Sequence, residues 1–554
     1  MGVAPAAEHG RYARLFDALE QVFPVSFQSR TPGDYDGLQG LIFPAADRAE
    51  TVKAARPGLP CYAVLTGEGA ITTGGSARIK FSQSRSLAHV LRGQVLADPA
   101  NVGFAPLLMS PGEEVMAEKA GQVFWSHRSG SPGQGTVEFA SLPLPVLKED
   151  GYLREVFNGK CFANLLPLVH FLQAITRGKS WEAPPLRACF VFDDPNLRRG
   201  SYGCINFREL ARHACHLNYH AAIGFIPLDA LWASSETVAL FRENVHSLSL
   251  VVHGSRHLRL EMARACPESK RIAILAQGLR RVESFERRYG LPICRVMESP
   301  YGVFTADLFK PLLALGYEAA TMTPLQFLKC NGTQRFPASL GCESIGCLPG
   351  GLGLIPRIIM SPYWKTEVLQ AALLGQPIVI VGHHYDAADG LALLEDVATT
   401  VNGLGPVHWC RLGDIARTNY MSRVENGTMK ILAATRRVRV AIPEGVERIQ
   451  VERPWLTNGD TESFRLMCLD TGMTLGQTSV RVASPIRVRG VRGIEVLSLS
   501  PALINPAQIP PPRPSLWPMV RRILTEARDR AYPYLYEPIA RRISHGAPVS
   551  SVSS

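Results

Sequence analysis

No CxxC pair occurs among the twelve cysteines of this 554-residue chain, and their scattered spacing does not describe a disulfide framework. Cys189 and Cys294 sit inside apolar runs, where a free thiol behaves as a small hydrophobe. No uncharged apolar run reaches the roughly 18 residues of a membrane span. Phe162 to Ile175 reads instead as a buried or amphipathic helix. Met1 to Phe16 carries Glu8, Arg11 and Arg14 without an apolar h-region, so no secretory signal is expected, and reduced thiols fit a cytoplasmic location. P-loop and dinucleotide fingerprints are missing: Gly67-Glu-Gly69 and Gly130 to Gly135 have the wrong spacing and read as turns. Zinc-finger spacing and RNA-binding signatures are absent as well. The net charge of +11 is spread along the chain as a solvated, arginine-rich surface, and no nucleic-acid partner is expected.

What is present is a well-cored composition, 46% hydrophobic and 19% charged. Its length implies roughly two to four domains. The segment Cys189-Phe-Val-Phe-Asp-Asp194 is an apolar run ending in paired aspartates, and sixty positions after Asp193 the run 248–252 delivers His253-Gly-Ser-Arg-His257. Both runs read as buried strands that present polar residues at their ends, where parallel α/β folds build sites. Two imidazoles and a carboxylate can hold Zn²⁺ or a similar ion with positions left for water and substrate, and a second carboxylate can take the water's proton. Singly, each motif has a plainer reading: an Asp-Asp pair caps turns and helices, and histidines four apart share a helix face. The order carries more than the parts. After HxxxH comes a third run, Pro292 to Met297, ending in Glu298-Ser-Pro-Tyr-Gly302, and a fourth, Pro377 to Val381, ending in Gly382-His383-His384-Tyr385-Asp386.

Over roughly residues 185–415 this series resembles the polysaccharide deacetylases of carbohydrate esterase family four, the NodB homology domain. That family shows a TFDD-like strand end, an H[S/T]xxH metal motif, an RxPY-like loop and a late LxH. Phe192-Asp193-Asp194, His253 to His257, Ser299-Pro300-Tyr301-Gly302 and Val381-Gly382-His383 take those places in the same order. The resemblance implies a distorted (β/α) barrel with Asp193 as general base and Asp194, His253 and His257 as metal ligands. It further implies the Tyr301 backbone N–H as oxyanion donor and His383 or His384 as general acid, His383 fitting the LxH spacing better. The chain departs from the pattern in three ways. Glu298 stands two places before Pro300, where the family's loop opens with an arginine that orients the base, and Arg295, Arg198 and Arg357 are all open as substitutes. Gly254 replaces Ser or Thr, with Ser255 one place later. Trp364 is a candidate for the family's acyl pocket or a core aromatic; with Pro300 and Glu298 it is assigned to the substrate side.

The expected function is a metal-dependent hydrolase, with zinc as cofactor, that deacetylates an N-acetylated sugar or glycan precursor; a small amide is the other substrate class. Two alternatives stay open: a non-catalytic metal- and glycan-binding component of a biosynthetic system, and a metal-dependent glycosidase. Around a central domain at 181–420, residues 1–180 alternate apolar runs (Gly40 to Phe43, Cys61 to Leu65, Ala77 to Phe81) with helices, as in a flavodoxin-like or amidotransferase-like α/β domain without chemistry of its own. Residues 425–505 turn to period two, with Val438, Val440 and Ile442 alternating with Arg437, Arg439 and Ala441, and predict a small β-sandwich. Residues 506–554 hold a stiff Pro510-Pro-Pro512 linker, a basic amphipathic helix from Trp517 to Arg530 and a Ser-rich end. Such a helix suits either an anionic membrane, as a peripheral contact, or the protein's own surface.

Overall fold

A computed structural model describes all residues except 66–76, 101, 131–134, 179–180, 458–459, 461, 480, 483, 500–502 and 536–554. All of Gly67–Gly69, most of Gly130–Gly135 and all of the Ser-rich end therefore lie outside the described residues. The chain divides into two units, and the division is not sequential. One unit comprises 1–183, 333–344 and 361–376; the other comprises 184–332, 345–360 and 377–554.

The first unit is built on a nine-stranded sheet. Gln28–Ser29, Gly2–Val3, Leu41–Ala46, Cys61–Leu65 and Val137–Ala140 run parallel, which is the α/β half that the apolar runs predict. The other half is antiparallel: Gln122–Arg128, Glu113–Lys119, Ala77–Phe81 and Val95–Asp98. A flavodoxin-like sheet would be parallel throughout, so that part of the expectation is corrected. The reason is visible in Ala77–Phe81, whose residues alternate buried and exposed, the pattern of an antiparallel strand with one wet face.

In the second unit, Leu186–Asp193, Ala221–Phe225, Leu248–His253, Ile293–Glu298, Ala319–Met322 and Leu352–Pro356 pair in parallel in chain order, with helices such as Phe207–His216 and Glu268–Tyr289 between them. On its other side Leu186–Asp193 pairs with Ile378–Gly382, which pairs with Ile358–Ile359. Leu352–Pro356 and Ile358–Ile359 thus belong to opposite ends of this ladder, yet only Arg357 separates them. The sheet must curl to bring its ends together, and among the described residues no ladder joins them. One face packs Cys189, Val191, Ala222, Val251, Val296, Val379 and Val381 into a continuous core, so these strands are buried on both sides and read as unbroken apolar runs.

After residue 420 come two four-stranded sheets sharing one core, with Ile431, Ile449 and Val451 from one and Val438, Val440, Leu466, Ile494 and Val496 from the other. Val482 is 45% exposed and makes an isolated bridge to Glu452. The final described element is the Trp517–Leu535 helix.

His220, just before the Ala221–Phe225 strand, is buried with Nδ1–H donating to His246 O (2.9 Å) and Nε2 accepting from Ser249 Oγ (2.8 Å). Burial lowers it from the ordinary 6.5 to about 4. Between those values the unfolded chain takes up a proton that the folded chain refuses, so stability falls as pH drops through the window. Melting temperature should decline on acidification from about 6.5 to about 4. His220→Asn should flatten part of that decline in calorimetry; an unchanged slope would refute the assignment.

Candidate metal centre

Asp193 is the last residue of its strand, and Asp194 follows in the left-handed region at φ 83°. Alternation would send the two side chains to opposite faces. The left-handed turn brings both into one cluster instead, with Asp194 Oδ1 3.1 Å from His257 Nε2 and 3.9 Å from His253 Nε2, and Asp193 Oδ1 3.6 Å from His253 Nδ1. His253 ends the Leu248–His253 strand, and its Nδ1–H donates to Glu298 O at 3.1 Å, which leaves the Nε2 lone pair facing Asp194.

His257 reaches the same point by a different route from the one its spacing implies. It lies in a loop at φ 53°, not one turn along a helix from His253. Gly254 begins that loop at φ 63°, and the carboxylate of Glu261 accepts from the N–H groups of Ser255 (3.0 Å), Arg256 (3.1 Å) and His257 (3.1 Å). Three successive donors around one anion form a backbone nest that fixes the loop. Glu261 has no place in the sequence motif, and only its position four residues after His257 hints at it.

Of the three arginines open as substitutes, Arg357 is the one beside the base candidate. Its Nη1 is 3.3 Å from Asp193 Oδ2 and also donates to Glu298 Oε1. Arg295 pairs with Glu286 at 2.7 Å, and Arg198 lies 3.8 Å from Glu526. Gly302, at φ 67°, lets the guanidinium pass: a Cβ there would lie 2.5 Å from Arg357 Nη2. Glu298, expected against the substrate, is wholly buried, with its carboxylate engaged by Arg357 and Thr321 Oγ1. Pro300 and Tyr301 form the turn after that strand, Tyr301 at φ 59° with its ring stacked on His257 at 5.6 Å. Trp364 begins the Trp364–Leu373 helix of the first unit.

Burial shapes the charges. It lifts Asp193 to about 6 against the opposing pull of Arg357 and His383, and lowers His253 and His257 to about 4, so both rings are neutral at neutral pH. Burial would raise Asp194 too, but His257, His253 and Arg522 hold it well below the carboxylate range. Asp193 Oδ1, Asp194 Oδ1 and His257 Nδ1 are buried without a hydrogen-bond partner. Asp194, His253 and His257 each bring one donor atom within 4.8 Å of the others, and so do Asp193, His253 and Glu298. In the second set Arg357 already neutralises both carboxylates, so the first set fits a cation better: two neutral imidazoles, an ionised carboxylate and an orphaned oxygen suit Zn²⁺.

His383 follows the Ile378–Gly382 strand, whose Gly382 pairs with Phe192, and its charge acts on both aspartates. Its N–H donates to Asp386 Oδ2 at 2.7 Å. His384 turns away, with Nε2 3.5 Å from Asp529 Oδ1 and its ring edge-on to Tyr202 and Tyr532. Asp529 belongs to the C-terminal helix, which also sends Arg522 to Asp229 (2.7 Å) and to the Asp194 carbonyl (2.5 Å), and Arg521 to Tyr301 Oη (2.9 Å) and the His257 carbonyl. Sequence reasoning missed Asp229, Tyr202, Arg522 and Asp529, which come from two distant stretches of the chain and belong to no shared motif.

No protein-family model matches the sequence, and no curated protein matches it. Among solved structures, a protein from Mycobacterium smegmatis provisionally named a polysaccharide deacetylase aligns at TM-score 0.32 and 16% identity, over 43% of this chain and 92% of that one. A family 4 carbohydrate esterase from Streptomyces lividans, solved with acetate, aligns at TM-score 0.26 and 13% identity, over 41% and 92%. A provisionally named fructose-1,6-biphosphate aldolase from Coccidioides immitis gives 0.22 and 14%, over 43% and 96%. Likenesses at such TM-scores carry no weight for fold or function.

Replacing Arg357 by Met should destabilise the protein by about 3–5 kcal/mol, because it leaves two buried carboxylates without their cation. Arg357→Lys should recover part of that loss. Urea titration measures both, and a loss under about 1 kcal/mol for the Met variant would show that the pair is not coupled to folding.

Proposed function

We propose that this chain is a metal-dependent hydrolase that removes an acyl group from the nitrogen of an N-acetylated sugar or glycan precursor. The observation that carries the reading is the separation of two adjacent carboxylates by environment: Asp194 sits with two neutral imidazoles, and Asp193 sits with a guanidinium. That division is what a metal ligand and a general base require. The order of the four motifs supports the substrate class.

Asp194, His253 and His257 would hold the ion, with zinc best suited to the set. When bound, it would supply Lewis acidity and a more acidic water. Asp193 takes a proton from the attacking water, and Arg357 fixes the carboxylate that does so. The Tyr301 N–H donates to the developing oxyanion, and His383 returns a proton to the departing nitrogen. His384, held by Asp529 and Tyr202, orients the segment carrying His383. Pro300 remains on the substrate side of the proposal. All twelve cysteines are free, which suits a reducing cytoplasm, and no helix among the described residues is long and apolar enough to cross a membrane.

Asp194→Asn and His257→Ala should lower the metal stoichiometry measured by elemental analysis. Asp193→Asn should keep the metal and lower acetate release from N-acetylated sugars by about a hundredfold or more. His383→Ala should slow turnover far more than His384→Ala. If Asp193→Asn strips the metal, or if none of these changes alters the rate of an active preparation, the hydrolase reading fails.

A further inference from the structure

The Trp517–Leu535 helix turns Arg522, Glu526 and Asp529 inward and a row of apolar side chains outward. Arg522, Glu526 and Asp529 are 2–4% exposed. Each is paired: Arg522 with Asp229 at 2.7 Å, Glu526 with Arg530 at 2.7 Å, and Asp529 with Tyr202 Oη at 2.7 Å. The other side shows Leu516 (75% exposed), Trp517 (59%), Val520 (45%), Ile523 (48%) and Leu524 (61%). Their spacing is that of one helix face. A soluble protein ordinarily turns such a face to its core, and an exposed apolar stripe of this length marks an interaction surface.

The rim of the stripe is cationic. Between residues 511 and 530 the only acidic residues are Glu526 and Asp529, both buried, whereas Arg513 and Arg528 are exposed. Arg521 bonds the His257 carbonyl and so ties the helix to the loop that exposes Arg259, Leu260 and Arg264. At the start of the helix a groove of about 390 Å³ is lined by Leu231, Arg256, Arg281, Arg513 and Leu516.

We infer that this face docks on an anionic lipid bilayer. Trp517, Val520, Ile523 and Leu524 enter the boundary between headgroups and acyl chains, and Arg513, Arg259 and Arg264 meet the headgroup phosphates. Charge selects this occupant over a second copy of the chain: self-association would set arginine rims against each other with no exposed carboxylate in the helix segment to neutralise them. The helix lies on the bilayer and does not span it, since its inward side is charged and already bound to the protein.

Flotation of the full chain with phosphatidylcholine vesicles, with and without phosphatidylglycerol, tests the inference. Binding is expected only with the anionic vesicles and should weaken as salt is added. Trp517→Ser combined with Leu524→Ser should reduce partitioning by about tenfold or more. Arg513→Gln combined with Arg259→Gln should reduce it by roughly tenfold. These side chains are exposed and outside the metal centre, so metal content and melting temperature should stay at the parent values. The inference is overturned by absence of binding to either vesicle, by equal binding of parent and variants, or by a concentration-dependent dimer that Leu524→Ser abolishes. Catalysis is not read in any arm, so failure here leaves the proposed reaction standing, and failure of that reaction leaves this result standing.

Discussion

Asp193 and Glu298 are carboxylates withdrawn from water within one cluster, and a cation between them is the condition for either to be ionised there. Arg357 supplies that cation. Desolvating a lone charge costs several kcal/mol, so the three groups stand or fall together. Arg357 is also the single residue between Leu352–Pro356 and Ile358–Ile359, which lie at opposite ends of the parallel part of the curled ladder. The backbone that brings the sheet's ends together and the side chain that charges the candidate base therefore belong to the same position. Geometry at the seam and electrostatics at the centre cannot vary independently.

Around that pair, local backbone strain does the placing. Asp194, His257 and Tyr301 all adopt left-handed conformations although none is glycine. Such conformations persist only where surrounding contacts over-determine them. Here those contacts are identifiable: the Arg522 guanidinium on the Asp194 carbonyl, the Glu261 nest before His257, and Arg521 on the Tyr301 hydroxyl. The side chains are consequently set before any ligand arrives, which is the preorganisation that catalysis by fixed charges needs.

The strands of the parallel sheet were legible because burial on both faces writes a continuous apolar run, and the polar residues at their ends were legible because nothing else interrupts such runs. The meeting of His253 and His257 was legible as a fact but not as a cause. Spacing of four implies a helix, whereas a loop wrapped on Glu261 gives the same result. Arg357 could not be told from Arg295 or Arg198, since a guanidinium's partner is fixed by tertiary position and not by local pattern. The antiparallel half of the first sheet was written in the alternation of Ala77–Phe81 but needed strand pairing to be read. The C-terminal helix shows two faces in sequence, and only its partners Asp229, Tyr202 and His384 decide which one turns inward.

The interleaving of the two units bears on the order in which the protein can be made. The first unit draws on 333–344 and 361–376 as well as 1–183, so a ribosome must pass residue 376 before every part of it exists. Its amino-terminal stretch has to wait, with apolar strands such as Leu41–Ala46 already synthesised, while about two hundred further residues emerge. Synthesis at about 5–20 residues per second makes that interval tens of seconds at the slower end, long enough for transient exposure of apolar surface to matter.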